Sequence, residues 1–298
     1  MRSVGLPTLL GDLLGPAVVV FALVTQLGDI WFLSLATVLP YWLGSATPRV
    51  GPAIDRRRIA MVVAILLGAI ALLVTLKPLF GLARPPDAGV PPRPGLVPEL
   101  LDGIYAWLST GEGFGFPSGH ALGSTVVFGG LAWAVRVGSR RQRIAVVAAL
   151  VALVSLSRLV LGLHTLVDVV AGAGIGLAYL AVVIRGLGTP KRAFGLATAV
   201  ALAGLLVVGP LPEVVPTTGL CVGGTAAWLA VGDRLDAGHS RRQSYATALV
   251  GLVTAAPMLA VVSTVHLAPV LAVLGGLVGG VLVVALPLLG DAVGKKRR

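Results

Sequence analysis

Along this chain, long apolar runs alternate with short breaks marked by polar residues, glycine or proline. Apolar runs begin near residues 6, 29, 58, 118, 143, 165, 193, 217, 244 and 268. Each is close to the ~20 residues that a helix needs to cross a bilayer. The pattern predicts an all-α fold, a polytopic membrane helix bundle of ten helices.

The charges in the breaks test this count. Arg2 precedes the first run, and Arg49, Arg56, Arg57 and Arg58 follow the second. Arg136, Arg140, Arg141 and Arg143 follow the fourth; Arg185, Lys191 and Arg192 follow the sixth. Arg234, Arg241 and Arg242 follow the eighth, and Lys295, Lys296, Arg297 and Arg298 follow the tenth. The breaks near Gly28, Pro212 and Pro269 hold no lysine or arginine. Cytoplasmic loops collect lysine and arginine, so the alternation predicts a multi-pass cell-membrane protein with both termini cytoplasmic. The first run reads as a retained span rather than a cleaved leader.

Two breaks on the other face depart from the pattern. One holds Lys77, Arg84 and Arg93; the other follows Arg158 and contains His164. Cations on the face that is otherwise poor in them are not topology signals and require another account. The loop from Pro78 to Phe116 is long and proline-rich, which in a compact fold points to function or disorder. Its Tyr105 and Trp107 suggest a short helix lying at the headgroup level.

Composition changes the picture in one respect. The 298 residues are 56% hydrophobic and 12% charged, with a mean hydropathy of +0.97. That leaves too little polar surface for a water-facing globule. The net charge of +11 therefore reads as membrane topology, with the bilayer and not nucleic acid as the partner. The single cysteine, Cys221, excludes an internal disulfide and reads as packing. The 40 glycines suit close helix contact, with Gly172 and Gly176 read as core packing and Gly275, Gly276, Gly279 and Gly280 as a further contact.

Three stretches carry chemistry, and the loop pattern puts all three at the outer face. They are KPLFGLARP from Lys77 to Pro85, PSGH from Pro117 to His120, and SRLVLGLHTLVD from Ser157 to Asp168. Lys77, Arg84 and Arg158 are three cations without matching carboxylates at a depth where a charge is expensive. They imply an anion from outside, and phosphate suits them, because arginine grips its oxygens in pairs and lysine adds a point charge. Snorkelling at a helix end is the competing account of Lys77 and Arg84. In PSGH, Pro117 fits a first helical turn, Ser118 an N-cap, and Gly119 a close backbone approach; together they read as an anion cradle with His120 beside it. The competing account makes His120 a bystander. His164 and Asp168 are four apart and share a helix face, where a carboxylate can fix the imidazole tautomer and leave the other nitrogen to attack. The competing account is a polar pair joining two helices. Arg158 ends one helix and His164 opens the next, across a turn at Gly162. His239 and His266 carry no assigned role.

Together, K-x6-R-P, P-S-G-H and S-R-x5-H-x3-D resemble the three-part signature of the type 2 phosphatidic acid phosphatase superfamily, with Lys77, Arg84, Pro85, Pro117, Ser118, Gly119, His120, Ser157, Arg158, His164 and Asp168 at the motif positions. The resemblance implies a six-helix core over 1–187, with about four further helices over 188–298 that hold none of the motifs. It implies that His164 attacks phosphorus to form a phosphohistidine, Asp168 orients His164, and His120 protonates the leaving group and then activates water. Lys77, Arg84, Ser118, Gly119 and Arg158 would hold the phosphoryl oxygens, supported by Pro85, Pro117 and Ser157, with no metal and no cofactor. The expected activity is hydrolysis of a membrane lipid phosphate or isoprenoid pyrophosphate. A phosphotransferase of the same superfamily uses the same residues. An anion or lipid transporter is the alternative of another class, but its polar groups belong near the midplane, not at one face.

Overall fold

The computed structural model describes residues 9, 13–47, 53–234, 240–264 and 267–295. His239 and His266 lie outside the described residues. Among the described residues the regular elements are helices: α1 (Val18–Val24), α2 (Ile30–Leu43), α3 (Arg56–Phe80), α4 (Asp102–Ser109), α5 (Gly119–Ala134), α6 (Arg140–Val160), α7 (Leu166–Ala181), α8 (Pro190–Val208), α9 (Val214–Val231), α10 (Arg241–Thr264) and α11 (Pro269–Lys295). A π-helical turn extends α7 to Leu187, and Gly188 then adopts a left-handed φ of 66°. The β-pairing among the described residues is limited to two isolated bridges.

Each of the ten expected runs has a helical counterpart. Seven described helices are long and apolar enough to cross a membrane, or eight with the N-terminal pair taken as one span. In that pair, Gly15–Gly28 and Ile30–Ala46 meet at a bend of 45°. The chain therefore continues in much the same direction where two opposed crossings were expected. Asp29 sets the break, capping α2 by accepting from Trp31 N–H at 3.3 Å. The other short member is α5, whose 16 residues start inside the site and end at Ala134.

The long helix α3 is the axis of the bundle. Twelve of its residues from Ile59 to Ala71 are buried, and it packs against α2, α5, α8 and α9. A helix apolar on every side is stable only when neighbours cover all of it. One continuous hydrophobic cluster joins Ile65 and Leu67 of α3 to Leu122 of α5, Phe194 of α8, Trp228 of α9 and Leu286 of α11. The last four helices thus share a core with the preceding ones.

Glycines set the closest contacts. A Cβ on Gly219 or Gly223 of α9 would collide with the backbone of α11, and one on Gly276 or Gly280 would collide with that of α9. Both pairs have the four-residue spacing that lets two membrane helices touch backbone to backbone. Gly279 faces Leu259 of α10 instead. Gly172 and Gly176 do the same for α7 against Ser118 and Leu122 of α5, as the sequence suggested. Cys221 is buried in the core cluster. Hydrogen bonds also join α11 to α2. Pro287 has no N–H to offer the Val283 carbonyl four residues earlier. Trp42 Nε1 donates to that carbonyl at 2.9 Å, and Tyr41 Oη donates to the Val284 carbonyl at 2.7 Å.

Candidate active site

The three motif stretches meet at one end of the bundle. They lie at the end of α3 and in the loop beyond it, at the start of α5, and across the turn between α6 and α7. The break between α1 and α2 closes the fourth side.

The long loop is held at both ends. Ala83 bridges Phe114, Gly115 N–H donates to the Leu82 carbonyl at 2.8 Å, and Gly111 N–H donates to the Ala88 carbonyl at 2.9 Å. Arg84 precedes a proline, which keeps it extended. A Cβ on Gly115 would come within 3.0 Å of the Ala83 carbonyl, and one on Gly111 within 3.1 Å of the Arg84 guanidinium. Held in this way, Arg84 donates from Nε to the Glu112 carbonyl at 2.8 Å and from Nη1 to the Leu163 carbonyl at 3.1 Å. The short helix expected near Tyr105 and Trp107 is α4; Tyr105 Oη donates to the Pro92 carbonyl at 2.6 Å, and Trp107 is exposed.

His164 sits between α6 and α7, almost fully buried. Gly162 turns the chain there with φ 67°, and the N–H groups of Leu163 and His164 both donate to the Arg158 carbonyl. The α7 helix starts in a reciprocal box: Thr165 Oγ1 accepts from Asp168 N–H at 3.4 Å, and Asp168 Oδ2 accepts from Thr165 N–H at 2.8 Å. His164 therefore precedes the helix instead of occupying its first turn. Its Nδ1 still lies 3.8 Å from Asp168 Oδ2. On the other side of the ring, Nε2 is 3.1 Å from Arg84 Nη1. An arginine can only donate, so Nε2 accepts and the ring proton is on Nδ1, facing Asp168. Burial, the largest effect, pushes the His164 pKa down to about 3; Asp168 pulls it upward, while Arg158, Arg84 and Lys77 push it down further. The imidazole is neutral at physiological pH.

Arg158 is only 4% exposed in the last turn of α6. Its Nη1 donates to Thr25 Oγ1 at 2.8 Å, and its Nε is buried without a hydrogen-bond partner. Lys77 ends α3, where Gly81 N–H caps its carbonyl at 3.0 Å. Its ammonium lies within the electrostatic reach of Arg84, Arg158 and Glu213.

Ser118 caps α5, accepting from Ala121 N–H at 3.4 Å and keeping its own hydroxyl hydrogen to donate. Its N–H donates to the Asp168 carbonyl at 2.9 Å, which ties the second motif to the third. Because Ser118 is extended, the helix starts at Gly119, and Pro117 stands before the cap instead of in the first turn as expected. The Phe116–Pro117 bond is cis. A Cβ on Gly119 would meet only Leu73, at an ordinary 3.5 Å, so protein packing does not explain the glycine. His120 feels the charges of Arg158, Lys77 and Arg84, and its Nε2 is 3.8 Å from Asp29 Oδ2.

Two motif residues stand back from the cluster. Ser157 Oγ donates to the Val154 carbonyl of its own helix at 2.6 Å. Pro85 shapes the turn, its carbonyl accepting from Ala88 N–H at 3.1 Å. The sequence reading missed Thr25 and Asp29. The signal for Asp29 was an acid just ahead of an apolar run, in a break without lysine or arginine; Thr25, inside an apolar run, gave none. No cluster of three or more His, Cys, Asp or Glu able to hold a metal ion occurs among the described residues.

Residues 57–192 match the family model described as the PAP2 superfamily. No curated protein and no solved structure matches the chain.

Proposed function

Residues 57–192 belong to the PAP2 superfamily, the type 2 phosphatidic acid phosphatases, and from that premise we propose that this multi-pass membrane protein is a metal-independent phosphatase of lipid phosphates or isoprenoid pyrophosphates. The observation that carries the reading is a neutral histidine whose acceptor nitrogen faces Arg84 at 3.1 Å while Arg158 and Lys77 act electrostatically on the same ring. Three cations around one nucleophile suit a phosphoryl group, whose oxygens gain charge during transfer.

His164 Nε2 attacks phosphorus while the bond to the leaving oxygen breaks. As the phosphoryl group enters, it takes over the Arg84 donor that Nε2 holds in the free protein. Asp168, beside Nδ1–H, stabilises the positive charge that the ring acquires. His120 gives a proton to the leaving oxygen. It then takes one from water, whose oxygen attacks phosphorus as the P–N bond breaks, releasing phosphate and restoring His164. Ser118 and the Gly119 N–H bind phosphoryl oxygens at the start of α5. The arginines crowding the opposite end of the bundle support a cytoplasmic placement for that end and an outward-facing site.

The test is phosphate release by the purified protein in EDTA, over phosphatidic acid, phosphatidylglycerophosphate and polyprenyl mono- and pyrophosphates. Wild type is expected to release phosphate, and His164→Ala to lose about 10⁴-fold or more. Equal rates in the two proteins would sink the assignment. Phosphate appearing on an added alcohol instead of in solution would move it to phosphotransfer.

A further inference from the structure

A cavity of about 620 Å³ lies between the family core and the added helices. Its near wall is Ser34 and Leu35 of α2 with Ile70 and Val74 of α3; its far wall includes Leu220 of α9 and Ala256 of α10. The cavity is a cleft open on one side, where Trp31 and Ala256 are exposed, so a hydrocarbon chain can lie in it. Its volume falls in the ~300–1,000 Å³ range of built ligand sites.

Several of its lining residues are close neighbours of candidate-site residues. Val74 and Ile70 are three and seven residues before Lys77, on the same face of α3. Ile30 and Trp31 line the cavity directly after Asp29, whose carboxylate is 3.8 Å from His120. Glu213, also in the lining, acts electrostatically on Lys77. A phosphate held by Lys77 would leave its ester substituent at the mouth of an apolar channel running along α3.

We propose that the added helices complete a binding site for the hydrocarbon chain of the substrate, making the enzyme selective for a long-chain phosphate ester. This rests on the phosphatase reading above. Helices α2 and α3 supply one wall, and α9, α10 and α11 supply the rest. The occupant is the substrate's own chain, since the cavity is lined mainly by apolar side chains, begins one helical turn from Lys77 at Val74, and is walled by helices long and apolar enough to cross a membrane.

The test fills the cavity from either side with Ser34→Phe and Ala256→Trp, neither of which touches the phosphate site. Both variants should keep the melting temperature of wild type. Each should lose about tenfold or more in kcat/KM on hexadecyl phosphate, and change by less than about twofold on butyl phosphate. Equal losses on both substrates, or no loss on either, would overturn the tail site. Binding gives a second readout. Hexadecyl phosphate brominated along its chain should quench tryptophan fluorescence saturably in wild type, through Trp31 and Trp42, which line the cavity. In Ser34→Phe the saturable part should vanish; its persistence, or its absence from wild type, would also overturn the proposal. If wild type hydrolyses neither ester, the phosphatase reading falls and the quenching alone decides the tail site.

Discussion

The two ends of the bundle treat arginine in opposite ways. At one end, Arg58, Arg136, Arg140, Arg143 and Arg185 line a cleft of about 890 Å³. Arg136, Arg140 and Arg185 are exposed there, Arg58 pairs with Asp55 at 3.4 Å, and its guanidinium lies over Trp133. At the other end, Arg158 is 4% exposed and bonded to a neutral threonine, while Arg84 is bonded to two carbonyls and a histidine. Cations in water need no partner and can serve topology. Cations kept from water among neutral donors and acceptors hold unused electrostatic potential, and an arriving anion can use it. The same residue type is thus exposed at one end and buried at the other.

The comparison breaks most decisively at Arg158. Replacing a buried cation, whose only carboxylate influence among the described residues is the electrostatic effect of Asp29, by an apolar side chain removes a desolvation cost, so Arg158→Met should hold or raise the melting temperature. The same change should lower kcat/KM by about 10²–10³-fold, as loss of an oxyanion donor does. Arg140→Gln and Arg143→Gln, at the other end, should stay within about twofold of wild type, because exposed charges contribute little locally. A melting temperature that collapses in Arg158→Met would make this arginine a structural residue and erase the contrast.

A smaller effect sharpens the picture at the start of α5. Gly119→Ala meets only ordinary contact with Leu73, and alanine favours a helix over glycine. Stability should therefore not fall, while KM for the phosphate ester rises about tenfold as the methyl group obstructs the backbone N–H groups. An unchanged KM would mean that the phosphate does not approach this backbone. The smallest expected change is at Asp29. Asn caps a helix about as well as Asp, so Asp29→Asn should keep the bend that starts α2. Losing the charge 3.8 Å from His120 should lower kcat a few-fold, roughly the scale of one weak electrostatic contact, and leave KM unchanged. A rise in KM with constant kcat would place Asp29 in substrate binding instead.

Much of the site was legible because its residues are anomalies against the background of the chain. In a sequence with 12% charged residues, Arg158 among leucines and valines, or His164 four residues from Asp168, stands out against the apolar background. Spacing also located the turn at Gly162 and the small-residue faces of α7 and α11. Thr25 and the carbonyls that hold Arg84 were illegible. A threonine within an apolar run has no distinguishing local signal, and a backbone carbonyl has none at all.

The sequence by itself determined the long apolar helices and singled out the candidate site residues, since these follow from local composition, periodicity and charge. Only the tertiary structure decided how those groups face one another. It turned Nε2 of His164 toward Arg84, bent the N-terminal pair where two crossings were expected, and left an apolar channel between α3 and the added helices. Each of these depends on side chains far apart in the chain, such as Tyr41 and Trp42 reaching the carbonyls that Pro287 helps to free. Contacts of that kind depend on how whole helices pack, and no local pattern encodes them.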